Sequence, residues 1–230
     1  NTLKMYMQQA KLLFDERDIS HQSVLKFTEI IMKAHKKYES VPNRRRMITD
    51  SMMAWLIKKA GKEGTDSEIR AIVDWIIIGR STGYRSSEWC QNRMGSYARI
   101  PNWPGEPSLA QTRNDFTFLG DDERHIKNDH SLTAEHVNYL TCEWRHQKND
   151  DNGQKVTFAG DRDNPNYCVV EASLRVYHRS KRLGMKDHEP MGVYGAMGKT
   201  HFITARKTTA LLREAAHHVL GLSKTDPEIK

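Results

Sequence analysis

The stretch Asp74-Trp75-Ile76-Ile77-Ile78-Gly79-Arg80-Ser81-Thr82-Gly83-Tyr84-Arg85-Ser86-Ser87-Glu88-Trp89 decides how this chain is read. An apolar helix enters it and a Thr-Gly-Tyr-Arg turn interrupts that helix. Gly83 supplies the positive φ that ends one helix sharply and lets another begin. The turn then predicts Arg85 on the first turn of a new helix, with Glu88 one turn on and on the same face. A guanidinium is thereby aimed out of a rigid corner while a carboxylate steadies it. A planar fork fixed in direction is what bidentate capture of a phosphate requires. Taken alone, the stretch suits equally an ordinary helix–turn–helix corner bearing a surface Arg–Glu pair.

Working upstream, Thr65-Asp66-Ser67-Glu68 reads as a capping box that opens the helix leading to Gly79 and Gly83. Before it, Thr49 caps a helix running to Lys59 or Ala60 and stopping at Gly61, with Ile48 and Met53 placed as a hydrophobic staple. Arg44-Arg45-Arg46 precedes that helix in an extended segment. Three arginines there either track a phosphate backbone or form a solvated charge run. Val41-Pro42-Asn43 breaks helical periodicity. Helices are expected at 1–14 and 20–38, the second with the apolar stripe Val24, Phe27, Ile30, Ile31 and Ala34. The expected division is therefore a helical piece over 1–42 and a main domain over 43–230.

Downstream, residues 92–115 are punctuated by Gly95, Pro101, Pro104, Gly105 and Pro107 and read as loop. Asp115 to Gly120 is a short strand candidate. Val137 to Gln147 is a longer one, turned by Asp150-Asp151-Asn152-Gly153 into a return over Lys155 to Phe158. Helical spacing resumes from Cys168 through Arg182, carried by Val169, Ala172, Leu174, Val176 and Tyr177. A Gly- and Pro-punctuated loop follows, then a last helix over Ile203 to Leu222. The order helices, three-strand meander, helices predicts a mostly α fold with a small antiparallel three-strand sheet, an α+β arrangement.

The 230 residues carry a formal charge of +7, with 37% hydrophobic and 28% charged residues, and a pI near 9.3. That balance favours an acidic partner, with nucleic acid first. No apolar run approaches the roughly 18–20 residues of a membrane span, so no membrane partner is expected. Cys90, Cys142 and Cys168 are odd in number and far apart, which suggests a reducing compartment and offers no metal spacing. Neither a metal nor another cofactor is expected.

The hairpin bears Trp144-Arg145-His146-Gln147-Lys148-Asn149 just before its turn, and Lys155 just after. Together with Thr82-Gly83-Tyr84-Arg85-Ser86-Ser87-Glu88 this order resembles the tyrosine recombinases, the phage-type integrases, over roughly Arg44 to Lys230. The arginine stretch looks like that family's first catalytic-arginine box, and Lys148 sits where the family carries a catalytic lysine on its small sheet. Lys155 is the rival for that place. The family's second box, His-x-x-Arg, is missing: none of the eleven histidines is followed by Arg at the third position. None of the eight tyrosines (Tyr6, Tyr38, Tyr84, Tyr97, Tyr139, Tyr167, Tyr177 and Tyr194) lies downstream of such a box, and none is assigned as nucleophile. The expectation is a piece of a longer protein, the N-terminal part of a recombinase catalytic domain preceded by the end of a DNA-clamping domain.

The resemblance implies cleavage and rejoining of double-stranded DNA through a phosphotyrosine intermediate. Arg85 would hold the non-bridging oxygens, Lys148 would protonate the leaving 5′-oxygen, and Glu88 would orient Arg85. Arg44, Arg45, Arg46 and Arg145 would contact DNA. It also implies a tetrameric synapse on DNA for the full-length protein, and a nuclear location if the source is eukaryotic. This chain alone would bind DNA without cutting it. Two other readings stand beside this one: a catalytically inactive, domesticated DNA-binding module of the same fold, and an unrelated helical RNA- or protein-binding domain.

Overall fold

Helix α1 (Asp50–Ala60) begins where its cap predicts: the Thr49 hydroxyl accepts from the Met52 amide at 3.3 Å, satisfying one of the donors a helix start leaves open. The computed structural model describes residues 48–84, 88–90, 108–126, 131–145 and 153–225, all within the unit Arg46–Lys230. The helices expected at 1–14 and 20–38, the break at 41–43 and the arginines Arg44, Arg45 and Arg46 lie outside the described residues.

Helix α2 (Glu68–Thr82) ends at Gly83 as expected, with φ 74° and the Gly83 amide donating to the Gly79 carbonyl at 2.9 Å. Its start corrects the sequence reading. The cap is Ser67, whose hydroxyl accepts from the Arg70 amide at 3.2 Å, and not Thr65. The cause is tertiary. The Thr65 carbonyl accepts from Arg179 Nε at 2.9 Å, and the Asp66 carbonyl accepts from the Gly195 amide at 2.8 Å. Oxygens held from outside in this way are drawn off the helical ladder.

Residues 71–78 of α2 are buried all round, the mark of an interior helix. Asp74 is among them at 1% exposure, and a buried carboxylate requires partners. Helix α3 (Val169–Arg182) supplies two: Arg179 Nη2 at 2.5 Å and Arg175 Nε at 2.8 Å. Arg70, one turn back on α2, adds a third guanidinium at 3.8 Å. Burial draws Arg179 below the ordinary arginine range, and Asp74 opposes that shift.

The other flank of α3 covers a three-stranded antiparallel sheet of β1 (Phe116–Leu119), β2 (Tyr139–Trp144) and β3 (Gln154–Ala159), in that spatial order. Register sets Phe116 against Cys142 and Phe118 against Leu140, so these four buried side chains share the inner face. The same rows continue to Val156 and Phe158 on β3, but burial fades there and Val156 is 42% exposed. Before β1, Arg113–Asp115 form a 3-10 turn where a loop was expected.

The sequence reading also missed a second hairpin. The expected loop before the last helix contains β4 (Val193–Ala196) paired with β5 (Lys199–Phe202). Its two-residue turn is Met197-Gly198, with φ 51° and 70°, the paired positive angles that match strand twist. Helix α4 (Ala205–Leu220) follows, capped by Thr204 and closed by Gly221. It packs on α1, where Trp55 and His218 stack at 5.2 Å and Lys59 pairs with Glu214 at 2.5 Å. Among the described residues the fold is thus α+β, with four α-helices, the expected sheet and an additional hairpin. None of these helices is long and apolar enough to cross a membrane.

Removing one partner of a buried ion pair strands the other, at a cost of about 3–5 kcal/mol. Asp74→Ala is therefore expected to lower the unfolding free energy by about that much in equilibrium urea denaturation. A loss below about 1 kcal/mol, the level of an exposed pair, would show that Asp74 is not what seats α3 on α2.

Candidate active-site corner

The end of α2 is wound tight by its own side chains. Thr82 Oγ1 donates to the Ile78 carbonyl at 2.8 Å and accepts from the Tyr84 amide at 3.2 Å. With Gly83 in the left-handed region, the chain turns and drives Tyr84 inward. There the Tyr84 ring meets Trp144, the last residue of β2, at 4.8 Å between centroids and 52° between planes. Tilted aromatic pairs of this kind contribute about 0.5–1.5 kcal/mol beyond the area they bury.

The contact joins two places far apart in sequence. Tyr84 immediately precedes Arg85, and Trp144 stands at the root of the β2–β3 hairpin, where its carbonyl accepts from the Gly153 amide at 2.7 Å. Arg85 and Lys148 themselves lie outside the described residues, so the structure gives the frame around them and not their side chains.

Glu88 lies beyond the corner, half-buried, with its carbonyl accepting from the Gln111 amide at 2.7 Å. Trp89 stacks on Trp75 of α2 at 5.6 Å and 2°. Cys90 Sγ sits 3.5 Å from Thr208 Oγ1 of α4. The Trp89 carbonyl also lies directly over Gly192, where a Cβ would fall inside contact distance of it. Segment 88–90 is therefore clasped from three sides.

Arg145 was read from sequence as a DNA contact, and the structure places it inward. Its side chain is 15% exposed and forks onto Asp115, with Nη2 at 2.9 Å from Oδ2 and Nε on Oδ1. Nη2 also donates to the Ala110 carbonyl at 3.2 Å. Asp115 in turn accepts from the Thr112 amide at 2.6 Å and the Thr112 hydroxyl at 2.9 Å. This buried clamp fixes the end of β2 to the turn that starts β1. Lys155, the rival hairpin lysine, lies across from Glu143, 3.3 Å from its carboxylate.

The titratable groups that line the frame are poor nucleophiles. Burial pushes the Cys142 thiol up to about 12 and the Cys90 thiol up to about 11, which leaves both protonated at neutral pH. Burial also raises Tyr84 far above the ordinary phenol range, with Cys142, Asp115 and Glu88 acting in the same sense. Tyr177 and Tyr194 are raised as well, burial being the leading cause in each. Among the described residues no group of three or more His, Cys, Asp and Glu is placed to hold a metal.

Tyr84, Trp144 and Asp115 form the structural frame of the corner, which sequence reasoning passed over. Tyr84 was visible only as the aromatic of the arginine box, and Asp115 only as the polar residue opening a strand. Comparison with family models, with curated proteins and with solved structures returns no match for this chain.

The Tyr84 hydroxyl is buried beside the Cys142 thiol, a weak hydrogen-bonding group, so the ring more than the phenol holds the corner. Tyr84→Phe is expected to cost less than about 1.5 kcal/mol, the net worth of one hydrogen bond, whereas Tyr84→Ala should cost about 3–5 kcal/mol. Thermal and urea unfolding of the two variants would check this. A loss in Tyr84→Phe as large as that in Tyr84→Ala would show that the hydroxyl and not the ring holds the corner.

Proposed function

We propose that this chain belongs to a DNA strand transferase of the tyrosine-recombinase type, carrying the first arginine and the hairpin lysine of its active site. The observation that supports it best is the Tyr84–Trp144 contact. It brings the residue before Arg85 against the root of the hairpin that bears Lys148, as a single phosphate held by both would need. The net charge of +7 fits a polyanionic partner.

On this reading a tyrosine oxygen attacks the scissile phosphorus and the P–O5′ bond breaks, leaving a 3′-phosphotyrosyl link. Lys148 gives its proton to the departing 5′-oxygen. Arg85 binds the two non-bridging oxygens, and Glu88 holds the direction of Arg85. Reversal by a second 5′-hydroxyl rejoins the strand, because the covalent link conserves the energy of the phosphodiester. Positioning and charge neutralisation do most of the work in phosphoryl transfer. Lys148 is taken for its place in the motif order, and Lys155, 3.3 Å from the Glu143 carboxylate, is the alternative. Arg145, being committed to Asp115, sets the hairpin root, and Arg44 to Arg46 remain the proposed contacts along the duplex. The nucleophile, the second arginine and the histidine are assigned to no residue of this chain. Synapsis as a tetramer on DNA belongs to the same proposal.

A catalytically inactive DNA-binding module of the same fold is the second reading, favoured by the lack of any His-x-x-Arg in the chain. The two separate on one variant. In the full-length protein, Arg85→Ala should cut strand cleavage by at least about 100-fold while DNA affinity falls less than about tenfold. Equal loss of cleavage and affinity would remove Arg85 from catalysis, and a wild-type protein that binds but never cleaves would establish the inactive module.

A further inference from the structure

We propose that the cleft between the start of α2 and the second half of α3 binds a phosphate group. The cleft has a volume of about 380 Å³ and is lined by Arg70, Arg175, Arg179 and Arg182, with Leu132 and Leu174 giving it an apolar wall. That volume lies in the range of small-molecule sites, which also join an apolar wall to a few fixed polar groups.

The charge arrangement exceeds what the fold requires. Asp74 is the buried charge that needs a partner, and Arg179 alone, at 2.5 Å, provides one. Arg175 and Arg70 nonetheless converge on the same carboxylate at 2.8 and 3.8 Å. Arg182 pairs with Asp66 at 2.6 Å, and Glu171 stands 3.6 Å from Arg175. Four arginines thus meet three carboxylates around one cleft. Arg175, Arg179 and Arg182 follow one another at helical spacing on a single face of α3, where like charges repel.

Arg179 sharpens the point. Its side chain is 2% exposed, its Nε and Nη2 are taken by the Thr65 carbonyl and Asp74, and its Nη1 is buried with no partner. Arg179 is thereby fixed in the cleft wall, while the side chains of Arg70, Arg175 and Arg182 stand 24%, 26% and 50% exposed, so that their forks are open to an oxyanion. Arginine forks beside an apolar wall fit a phosphate with an organic body attached. The cleft is separate from the arginine corner: Arg70 and Gly83 lie at opposite ends of α2, about 20 Å apart at 1.5 Å per residue. The inference therefore does not rest on the recombinase reading.

The test is calorimetric titration of the whole chain at low ionic strength with inorganic phosphate and with a 5′-mononucleotide, the uncharged nucleoside serving as control. Saturable binding of both phosphates is expected, with the nucleoside at least about tenfold weaker. Arg70→Gln combined with Arg182→Gln should weaken binding by about tenfold or more. Ala134→Glu, an exposed position on the cleft lining, should do the same without touching any arginine. Unfolding midpoints are the control for folding. An excess of unrelated duplex DNA distinguishes the source: displacement of the mononucleotide supports a nucleic-acid phosphate, and retention supports a free phosphorylated molecule. Absence of saturation with either phosphate would overturn the proposal, as would undiminished affinity in Ala134→Glu.

Discussion

A carboxylate shut inside α2 governs the arrangement around it. Asp74 sits in a helix buried on every side, and desolvating a lone charge there would be worth many kcal/mol against folding. Burial of α2 is therefore possible only with α3 seated so that Arg179 reaches that one position. Hydrophobic stripes allow neighbouring helices some sliding, since one apolar contact resembles the next. A charge pair at 2.5 Å does not, and the register of α3 follows from it. With α3 fixed, the inner face of the sheet has its cover, and Phe118 meets Tyr177 edge-on at 5.5 Å. The same Arg179 draws on the Thr65 carbonyl, so the point where α2 begins is also set from α3.

The arginine corner inherits this rigidity through aromatic packing. Trp75 is one residue from Asp74 on α2, and its ring carries Trp89 on one side and Phe116 at 6.2 Å on another. Segment 88–90, the opening of the sheet and the middle of α2 therefore share one anchor. Tyr84 on Trp144 adds the tie to the hairpin root, and the Asp115–Arg145 clamp stops that root from swinging. Irregular chain is stitched in by backbone hydrogen bonds that run from Glu88 to Gln111, from Gln111 to Met191, and from Gly192 to Ile203.

What the sequence made legible was local. Thr49 announces α1, Gly83 ends α2 and the apolar stripe of α3 shows its buried face, because each signal rests on groups within a turn or two of one another. The three-strand sheet was readable from its turn and its alternation. The misreadings arose where distant groups decide. Thr65 lost the capping role to Ser67 because Arg179, on another helix, takes its carbonyl. The β4–β5 hairpin hid behind a Met-Gly turn, since methionine seldom accepts a positive φ. Arg145 read as a surface cation because nothing nearby in sequence announces Asp115 as its partner. Arg85 and Lys148 are proposed from motif order alone, and the contact of Tyr84 with Trp144 needed the folded chain.

Gly192 carries a consequence for ancestry. Its hydrogen atom faces the Trp89 carbonyl where any larger group would collide, and Trp75 Nε1 lies 3.7 Å from the same point. Drift can exchange one surface cation for another, and many core aliphatics for one another, without loss of the fold. It has no substitute to offer at a site where backbone touches backbone. Descendants of a common ancestor that keep this corner must keep that glycine, whatever side chain stands at position 89. A search for distant kin is therefore better anchored on this sterically frozen glycine than on charge or composition, which wander freely as lineages diverge.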